Sequence, residues 1–594
     1  MGIATLFMAF HWRGSLPFGA PSKVRSVSLT AYPGMERRPA LSPAGDRVAF
    51  SWMPEDGTGD ARNTDIYVLR LGQEQPFRLT THEDLEEGAA WSPDGRWIAF
   101  LRGSARFRQD IATYSVHVVP SDGGADRQLV DAIAGNRTNS GLSLAWMPDG
   151  KSVVVPFEAQ GAEPAGLFAV AVSTRSKRRV TTCPADWAFD NYPAVSPDER
   201  WLAFVRGTGP LGDIFLLPMG SGEPRRIPSD QKWGGGLTWA ADSRSVIVVG
   251  TSGEGGQRLW RVPLDTRNEP KPILGAEENP SHPSVASGRL VYSIEHRDVN
   301  IWTAALGDVD RIAGEPRPLI SFASSELEPR YSPDGTKVAF TSDRSGAREI
   351  WVANSDGTGA VQLTFLDTAA REPRWSPDGA SIVFSAYVHS NYDVYAVPSG
   401  GGRPVRLTHA RSMERTPFYS ADGKSIYFAS NLEGRFEVFR APLAVMGEAT
   451  QVTRGGGFAP QESPDGRYLY YSRDARVDIS GPTRGGTQGI WRVRTSGERA
   501  WAEAELLGAL SSPILPGAWA ATAEGVYVVS RPRGASLFQT RIQHYDLASR
   551  NLSIVYSETA SSFGVQGITA SRAALAWAQV DRLESDLRVV ENFR

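Results

Sequence analysis

The sequence predicts an all-β fold assembled from β-propeller blades. Three observations carry this prediction: a turn cassette recurring about every 48 residues, four strand-like runs between successive cassettes, and many turn formers in an apolar-rich chain. The cassette reads Ser-Pro-Asp-Gly. It stands intact at Ser92, Ser332, Ser376 and Ser463, and in degraded form at Ser42, Met147, Ser196, Ala240 and Ser420. Weaker frames fall at Ala286, Ala520 and Thr569. The mean step is that of a four-stranded propeller blade, roughly 40 to 50 residues. The composition agrees: 60 glycines and 40 prolines supply turns, and 41% hydrophobic residues supply cores.

Each element follows from local chemistry. Proline fixes φ at the first corner of a tight turn, Asp bonds back to the turn amides, and glycine accepts positive φ. The cassette is therefore a hairpin joining strand A, exemplified by Ala89-Ala90-Trp91, to strand B, Arg96-Trp97-Ile98-Ala99-Phe100. Strand C is an alternating run such as Asp65-Ile66-Tyr67-Val68, Glu349-Ile350-Trp351-Val352 or Asp393-Val394-Tyr395-Ala396. Strand D ends in Leu-Thr, as in Arg78-Leu79-Thr80, Gln362-Leu363-Thr364 and Arg406-Leu407-Thr408. A D-type run, Val24–Thr30, precedes the first A strand, and the chain stops just after a C strand, Asp586–Val590. The order is thus D then A-B-C, twelve times over. An orphan D strand at one end and a D-less blade at the other fasten a ring and hide its edges. Twelve four-stranded blades exceed the usual four to eight, so two rings are expected. Cutting in the long link 307–316 gives two tandem six-bladed propellers, 24–311 and 312–594; seven blades plus five is the alternative.

Composition removes several function classes. Lys plus Arg is 63 and Asp plus Glu 66, a net charge of −3, so nothing in the bulk of the chain neutralises a nucleic acid backbone. Cys183 is the sole cysteine, which excludes an intrachain disulfide or a cysteine-based metal site. The eight histidines form no closely spaced pair, and no cofactor motif is present. At the N-terminus, Ile3–Phe10 is apolar but shorter than the roughly 18 residues a spanning helix needs. It reads as the remnant of a membrane anchor, a poor signal peptide or a soluble tail, with residues 14–23 as a flexible tether to complete the segment 1–23.

The cassette with its C and D strands resembles the TolB-type propeller repeat over residues 24–594. The opening Val27–Gly34 with Arg38–Pro43, and the ending Glu584–Arg594, resemble the C-terminal halves of membrane-anchored bacterial regulators of the CadC type. In that group a winged helix or a kinase domain precedes one membrane helix and then the propellers; neither domain is present here. The resemblance implies a sensor or scaffold module, periplasmic or at the cell surface, with a membrane tether; the missing catalytic set and two concave propeller faces predict that it is non-enzymatic and binds a protein or peptide partner.

A nucleophile elbow, G-x-S-x-G, lets serine sit on a strained turn; Gly250-Thr251-Ser252-Gly253-Glu254 fails at its last position. No Walker loop follows any Gly-rich stretch. Asp56, Asp60 and Asp65 lack EF-hand spacing, so a solvated loop is expected there. The scattered His82, His117, His282, His389 and His409 leave a metal-dependent lyase as an alternative, beside a hydrolase with a dispersed site and a self-assembling surface protein. Trp91 and Trp375 share one cassette position, as do Trp351 and Trp491, which points to packing between blades.

The candidate binding residues are acidic. Glu36, Glu86, Asp190, Glu326 and Glu414 recur three residues before the Pro or Ala that opens strand A, in the loops from strand D to strand A. In a propeller this is the mouth of the central channel, where a ring of carboxylates would favour a cation or a basic peptide. Local pairing with Arg37, Arg38, Arg330, Arg371 and Arg415 is the competing explanation.

Overall fold

The computed structural model describes residues 24–593 apart from 55–62, 104–112, 135–142, 158–163, 185–186, 188, 208–210, 230, 252–256, 277–278, 308–310, 323, 367, 389–390, 433, 474–488, 497–500, 502–504, 508–513, 531–540 and 558–564. Among the described residues every regular element is a β-strand, and no helix is long and apolar enough to cross a membrane. The N-terminal apolar segment lies outside them.

The cassettes make the expected hairpins, and their hydrogen bonds explain why the sequence repeats. The Ser92 hydroxyl donates to Asp94 (2.6 Å) and accepts the Trp97 amide (2.9 Å), while Asp94 accepts the Arg96 amide (3.0 Å). Gly95 takes φ +70°. Ser332, Ser376 and Ser463 repeat this pattern. The serine hydroxyls and turn amides hold the cassette carboxyls below their ordinary range, Asp334 and Asp465 at about 2. The copies at Ser196 and Ala240, which lack the glycine, keep the turn with another residue in the left-handed region, Glu199 at φ +60° and Ser243 at φ +55°.

Strands A to D pair antiparallel in sequence order, as in Glu326–Tyr331, Lys337–Ser342, Glu349–Asn354 and Val361–Gln362. The A strands touch one another in two closed cycles. One runs through the strands starting at Gly34, Leu85, Ala145, Phe189, Trp233 and Pro280; the other through those starting at Glu326, Ala369, Glu414, Phe458, Ile514 and Val565. Tryptophans clasp neighbouring blades. The indoles of Trp91, Trp146, Trp239 and Trp375 donate to the carbonyls of Ala40, Ala90, Ala194 and Arg330, each on the preceding A strand, at 2.9 to 3.0 Å. Apolar clusters fill the space between sheets; one joins Ile66, Val68 and Leu79 to Trp91, Ile98 and Phe100.

The two halves are not self-contained. Two long strands, β1 (Arg289–Leu306) and β2 (Ala574–Val590), run antiparallel from Leu290↔Val590 to Ala305↔Ala574. The first part of β1 is the B strand beside Pro280–Ala286, and the last part of β2 is its C neighbour, to which Ser26–Ser28 adds as D. Conversely, the first part of β2 is the B strand beside Val565–Ala570, and the second part of β1 is its C neighbour, followed by Ile312–Ile320 as D. Each half is therefore closed by a strand from the other.

This corrects the expected boundary at 311/312, because Leu306 pairs with Ile312 inside one sheet. It also corrects the assignment of the last C strand to the second half. The physical reason lies in the turns. Neither β1 nor β2 contains glycine or proline, so no hairpin forms between B and C, and each strand runs straight on into the next sheet.

Candidate functional site

All five acids lie on A strands, each directly opposite the B-strand residue sixteen positions later: Glu36↔Trp52, Glu86↔Arg102, Asp190↔Arg206, Glu326↔Ser342 and Glu414↔Ser430. All are buried, at most 2% exposed. Glu86 accepts from the Arg102 guanidinium (2.6 Å), and Asp190 is held bidentately by Arg206 (2.6 and 2.8 Å) with Thr181 on the same carboxylate. Glu326 meets Ser324, Ser342 and Arg344, and Glu414 meets Ser412 and Ser430. Glu36 accepts from Thr30 and from the Tyr32 amide (2.9 Å).

These carboxylates therefore tie strands together within blades, and none stands open to solvent. The partners are mostly B-strand residues, not the adjacent arginines. Arg37 bonds Glu295 (3.1 Å), Arg38 bonds Glu87 (3.0 Å), and Arg330 donates to the carbonyls of Pro329 and Ile568. Arg371 approaches Glu328 (3.9 Å), and Arg415 pairs with Glu372.

Burial without a full cationic partner is costly for an ionised carboxylate. It pushes Glu36 up to about 7, against the hydrogen bonds that oppose the shift, and Glu326 likewise to about 7. The folded state thus keeps the Glu36 proton from its ordinary value of 4.5 up to about 7. Stability from this group is present in full below 4.5 and is lost as pH rises through about 7. Glu36→Gln, which mimics the protonated form, is expected to match the wild type near pH 4.5 and to gain melting temperature relative to it above pH 7. A melting-temperature difference independent of pH would contradict this.

A second set of acids, at the start of strand C, was not read as a set from the sequence; for Asp65 the expected solvated loop is corrected, because it opens a strand and is buried against Arg78. Asp65, Asp213, Glu349, Asp393 and Glu437 are all buried. Asp65 bonds Arg78 (2.6 Å), Asp213 bonds Lys232 (2.9 Å), Asp393 bonds Arg406 (2.8 Å), Glu437 bonds Arg435 (2.7 Å), and Glu349 bonds Thr364. The threonine ending strand D serves the same corner. Thr80, Thr364 and Thr408 accept the amides of Ile66, Ile350 and Val394 at 2.9 Å. The acid before an Ile-Tyr-Val-type run, paired with the recurrent Leu-Thr, was the readable signal.

The A strands also share a bulge near their start, as between Arg37 and Ala40, Asn191 and Ala194, and Leu327 and Arg330. The bulge residue is left-handed even when it is not glycine: Arg38, Tyr192, His282, Glu328, Glu372, Thr416 and Ala459 have φ from +49° to +62°. In the second half these residues form a relay between blades. Glu328 accepts the Glu372 amide (2.6 Å), Glu372 accepts the Thr416 amide (2.8 Å), and Thr416 accepts the Ala459 amide (3.2 Å). The strain is thus offset by bonds that fix the spacing of the innermost strands.

One arrangement has the order of a hydrolytic triad. Ser115 Oγ lies 2.9 Å from His117 Nε2, and His117 Nδ1 lies 2.6 Å from Asp126. Sequence reasoning missed it because two of the three sit on one strand and the third in the link that follows it, without a nucleophile elbow. Arg102 stands 3.3 Å from His117 Nδ1 and 3.1 Å from Asp126. Burial first, and this guanidinium with it, hold the imidazole below its ordinary range, and Asp126 is already matched by a cation. An imidazolium forming here would face Arg102, which weakens His117 as a base.

No group of three or more metal-ligating side chains is assembled among the described residues. Of the scattered histidines, His82 lies beside Asp84 and His117 belongs to the Ser115 set. His389, Asp56, Asp60 and Ser252–Glu254 fall outside the described residues.

Residues 347–584 match the family model of the tricorn protease N-terminal β-propeller domain. An uncharacterized peptidase, YuxL, of Bacillus subtilis (strain 168) is 27% identical over 202 residues, covering 28% of each chain. The chain thus spans little more than a quarter of that relative's length. Among solved structures, a putative TolB from Agrobacterium tumefaciens is 19% identical with TM-score 0.37, over 48% of this chain and 98% of that one. The tricorn protease is 12% identical with TM-score 0.28, over 89% of this chain and 59% of that one. The strand pairing and the family match together make the chain a β-propeller protein, similar over residues 347–584 to the N-terminal propeller of tricorn protease.

Proposed function

We propose that the chain is a non-enzymatic binding module, the extracytoplasmic sensor or scaffold part of a regulatory or envelope system, with a protein or peptide as its partner. The observation that supports this reading is how the repeated polar residues are used. Cassette serines and aspartates, A- and C-strand acids, D-strand threonines and the clasping tryptophans all hold the blades together. What remains for chemistry with other molecules is the loops, which differ from blade to blade, as on other scaffolds that carry function in loops. The resemblance of the two chain ends to membrane-anchored regulators supports the compartment.

A hydrolase is the second reading, favoured only by Ser115, His117 and Asp126. A serine-directed fluorophosphonate separates the two. The purified protein is expected to remain unlabelled; labelling that Ser115→Ala abolishes would establish the hydrolase instead. An alkaline phosphatase fusion after Arg594, expressed from the native locus, is expected to be active. An inactive fusion beside an active cytoplasmic reporter would refute the compartment.

A further inference from the structure

We propose that one face of the second ring, across the blades whose A strands start at Glu326, Ala369 and Glu414, is the docking surface for an acidic polypeptide segment bearing aromatic or aliphatic anchors. This rests on the binding-module reading and assigns it a surface and a partner chemistry.

The D-to-A and B-to-C links emerge at the same end of every antiparallel blade, and hydrogen bonds join them side by side. The Ser325 amide donates to Asp343 (2.8 Å), binding the link before the first of these A strands to that blade's own B–C turn. The Leu366 amide donates to Glu349 (2.6 Å), and the Thr368 hydroxyl to the Tyr387 carbonyl, which carries the connection to the next blade. Asn391 donates to the Ser412 carbonyl (2.8 Å), and the Met413 amide to Asn431 (2.8 Å), which completes it.

Along this line of linked loops stand Phe322 (55% exposed), Phe365 (72%), Tyr387 (41%), Met413 (40%) and Leu432 (61%). Large apolar side chains scattered singly on a surface need no explanation, but a contiguous set is the mark of an interaction site. Nothing in blade construction requires them: Phe365 follows the D-strand threonine, outside the ladder, and Leu432 lies in a turn.

Among the described residues, the exposed charge around them has one sign. The acids at this end of the blades, Glu326, Glu349, Asp393, Glu414 and Glu437, are buried. Among the described residues, the exposed charged side chains of these links and of the next one are Arg411, Arg435 and Arg454. Arg344 lies over the Phe322 ring at 3.9 Å. An apolar line rimmed by arginines complements an acidic segment with apolar anchors, and repels the basic partner suggested by the positions of the acids alone.

The test uses the intact protein and synthetic peptides. An array of 15-residue peptides carries Phe, Leu or Trp at varied spacing between Asp and Glu. Its controls replace every acid with Lys, or every apolar anchor with Ala. Binding is read by fluorescence anisotropy for the wild type, for Phe365→Ser/Leu432→Ser, and for Arg411→Glu/Arg454→Glu; all four positions are exposed, and melting curves verify the fold.

Acidic anchored peptides are expected to bind at least tenfold tighter than either control. Each double variant should lose tenfold or more, and affinity should fall between 50 and 300 mM salt. Equal binding of acidic and basic peptides, or unchanged affinity in both variants, overturns the surface but leaves the module reading standing. Absence of binding by every peptide overturns the partner chemistry. Sedimentation showing a concentration-dependent dimer that the apolar variant dissociates would assign the face to a second copy of the chain, and would also overturn it.

Discussion

A chain ending at Asp581 is expected to lose the closed first ring while keeping most of the second. The deleted residues include Leu587, Val589 and Val590, all buried, and they pack against Phe50 near the start of the chain and Leu290 and Val291 in its middle. Each such side chain contributes about 1.5–3 kcal/mol by burial. Their removal also leaves the B strand Leu290–Asp298 and the D strand Ser26–Ser28 without the neighbour between them. Together this is comparable with the about 5–15 kcal/mol that holds a whole domain folded. Limited proteolysis read by mass spectrometry should show new cuts across residues 24–300, with 326–557 still protected. Equal protection of both halves would mean that the first ring closes without its borrowed strand. Leu587→Ala, a milder version, should cost about 2–5 kcal/mol.

Removing Arg206 is expected to be the most damaging single change to a polar residue. Asp190 and Arg206 are both buried and directly opposed, with the guanidinium also 4.9 Å from the Phe215 ring. Arg206→Ala leaves a carboxylate in a dry sheet, a loss of about 3–5 kcal/mol. Asp190→Asn/Arg206→Met removes both charges and should recover much of that loss, since replacing a buried pair is often far cheaper than breaking it. Urea unfolding of the single and double variants gives the comparison; a double variant worse than Arg206→Ala would contradict it. By the same reasoning, Glu36→Lys, Glu86→Lys and Asp190→Lys together are expected to unfold the first ring. They are not expected to change a partner selectively.

Much of this protein was readable one blade at a time. Ser-Pro-Asp-Gly specifies its hairpin because every atom needed for the turn lies within six residues: the Ser92 hydroxyl, the Asp94 carboxylate, the Gly95 backbone and the Trp97 amide. The alternation of Asp65-Ile66-Tyr67-Val68 marks a strand for the same local reason. The direction in which the acids point was not readable that way. Glu86 and Glu36 look alike in sequence, and only the cross-strand neighbours, Arg102 and Trp52, decide that one is ion-paired and the other is pushed toward its neutral form. Ser115, His117 and Asp126 came together unannounced, because the link after their strand brings Asp126 back beside the His117 ring.

The sequence by itself determined the repeating unit, its four strands, its turn chemistry and the residues that pack between blades, since these depend on contacts within about fifty residues. The tertiary structure decided which strands close which ring. That choice rests on Leu290 meeting Val590 and Ala305 meeting Ala574, pairings nearly three hundred residues apart. The absence of any turn former in Arg289–Leu306 and Ala574–Val590 permits such pairings, but no local pattern specifies them. It also decided that the five A-strand carboxylates face inward while Phe322, Phe365 and Leu432 of the second ring face out. Burial is a property of the whole assembled surface, and two residues with the same neighbours in sequence can stand on opposite sides of it.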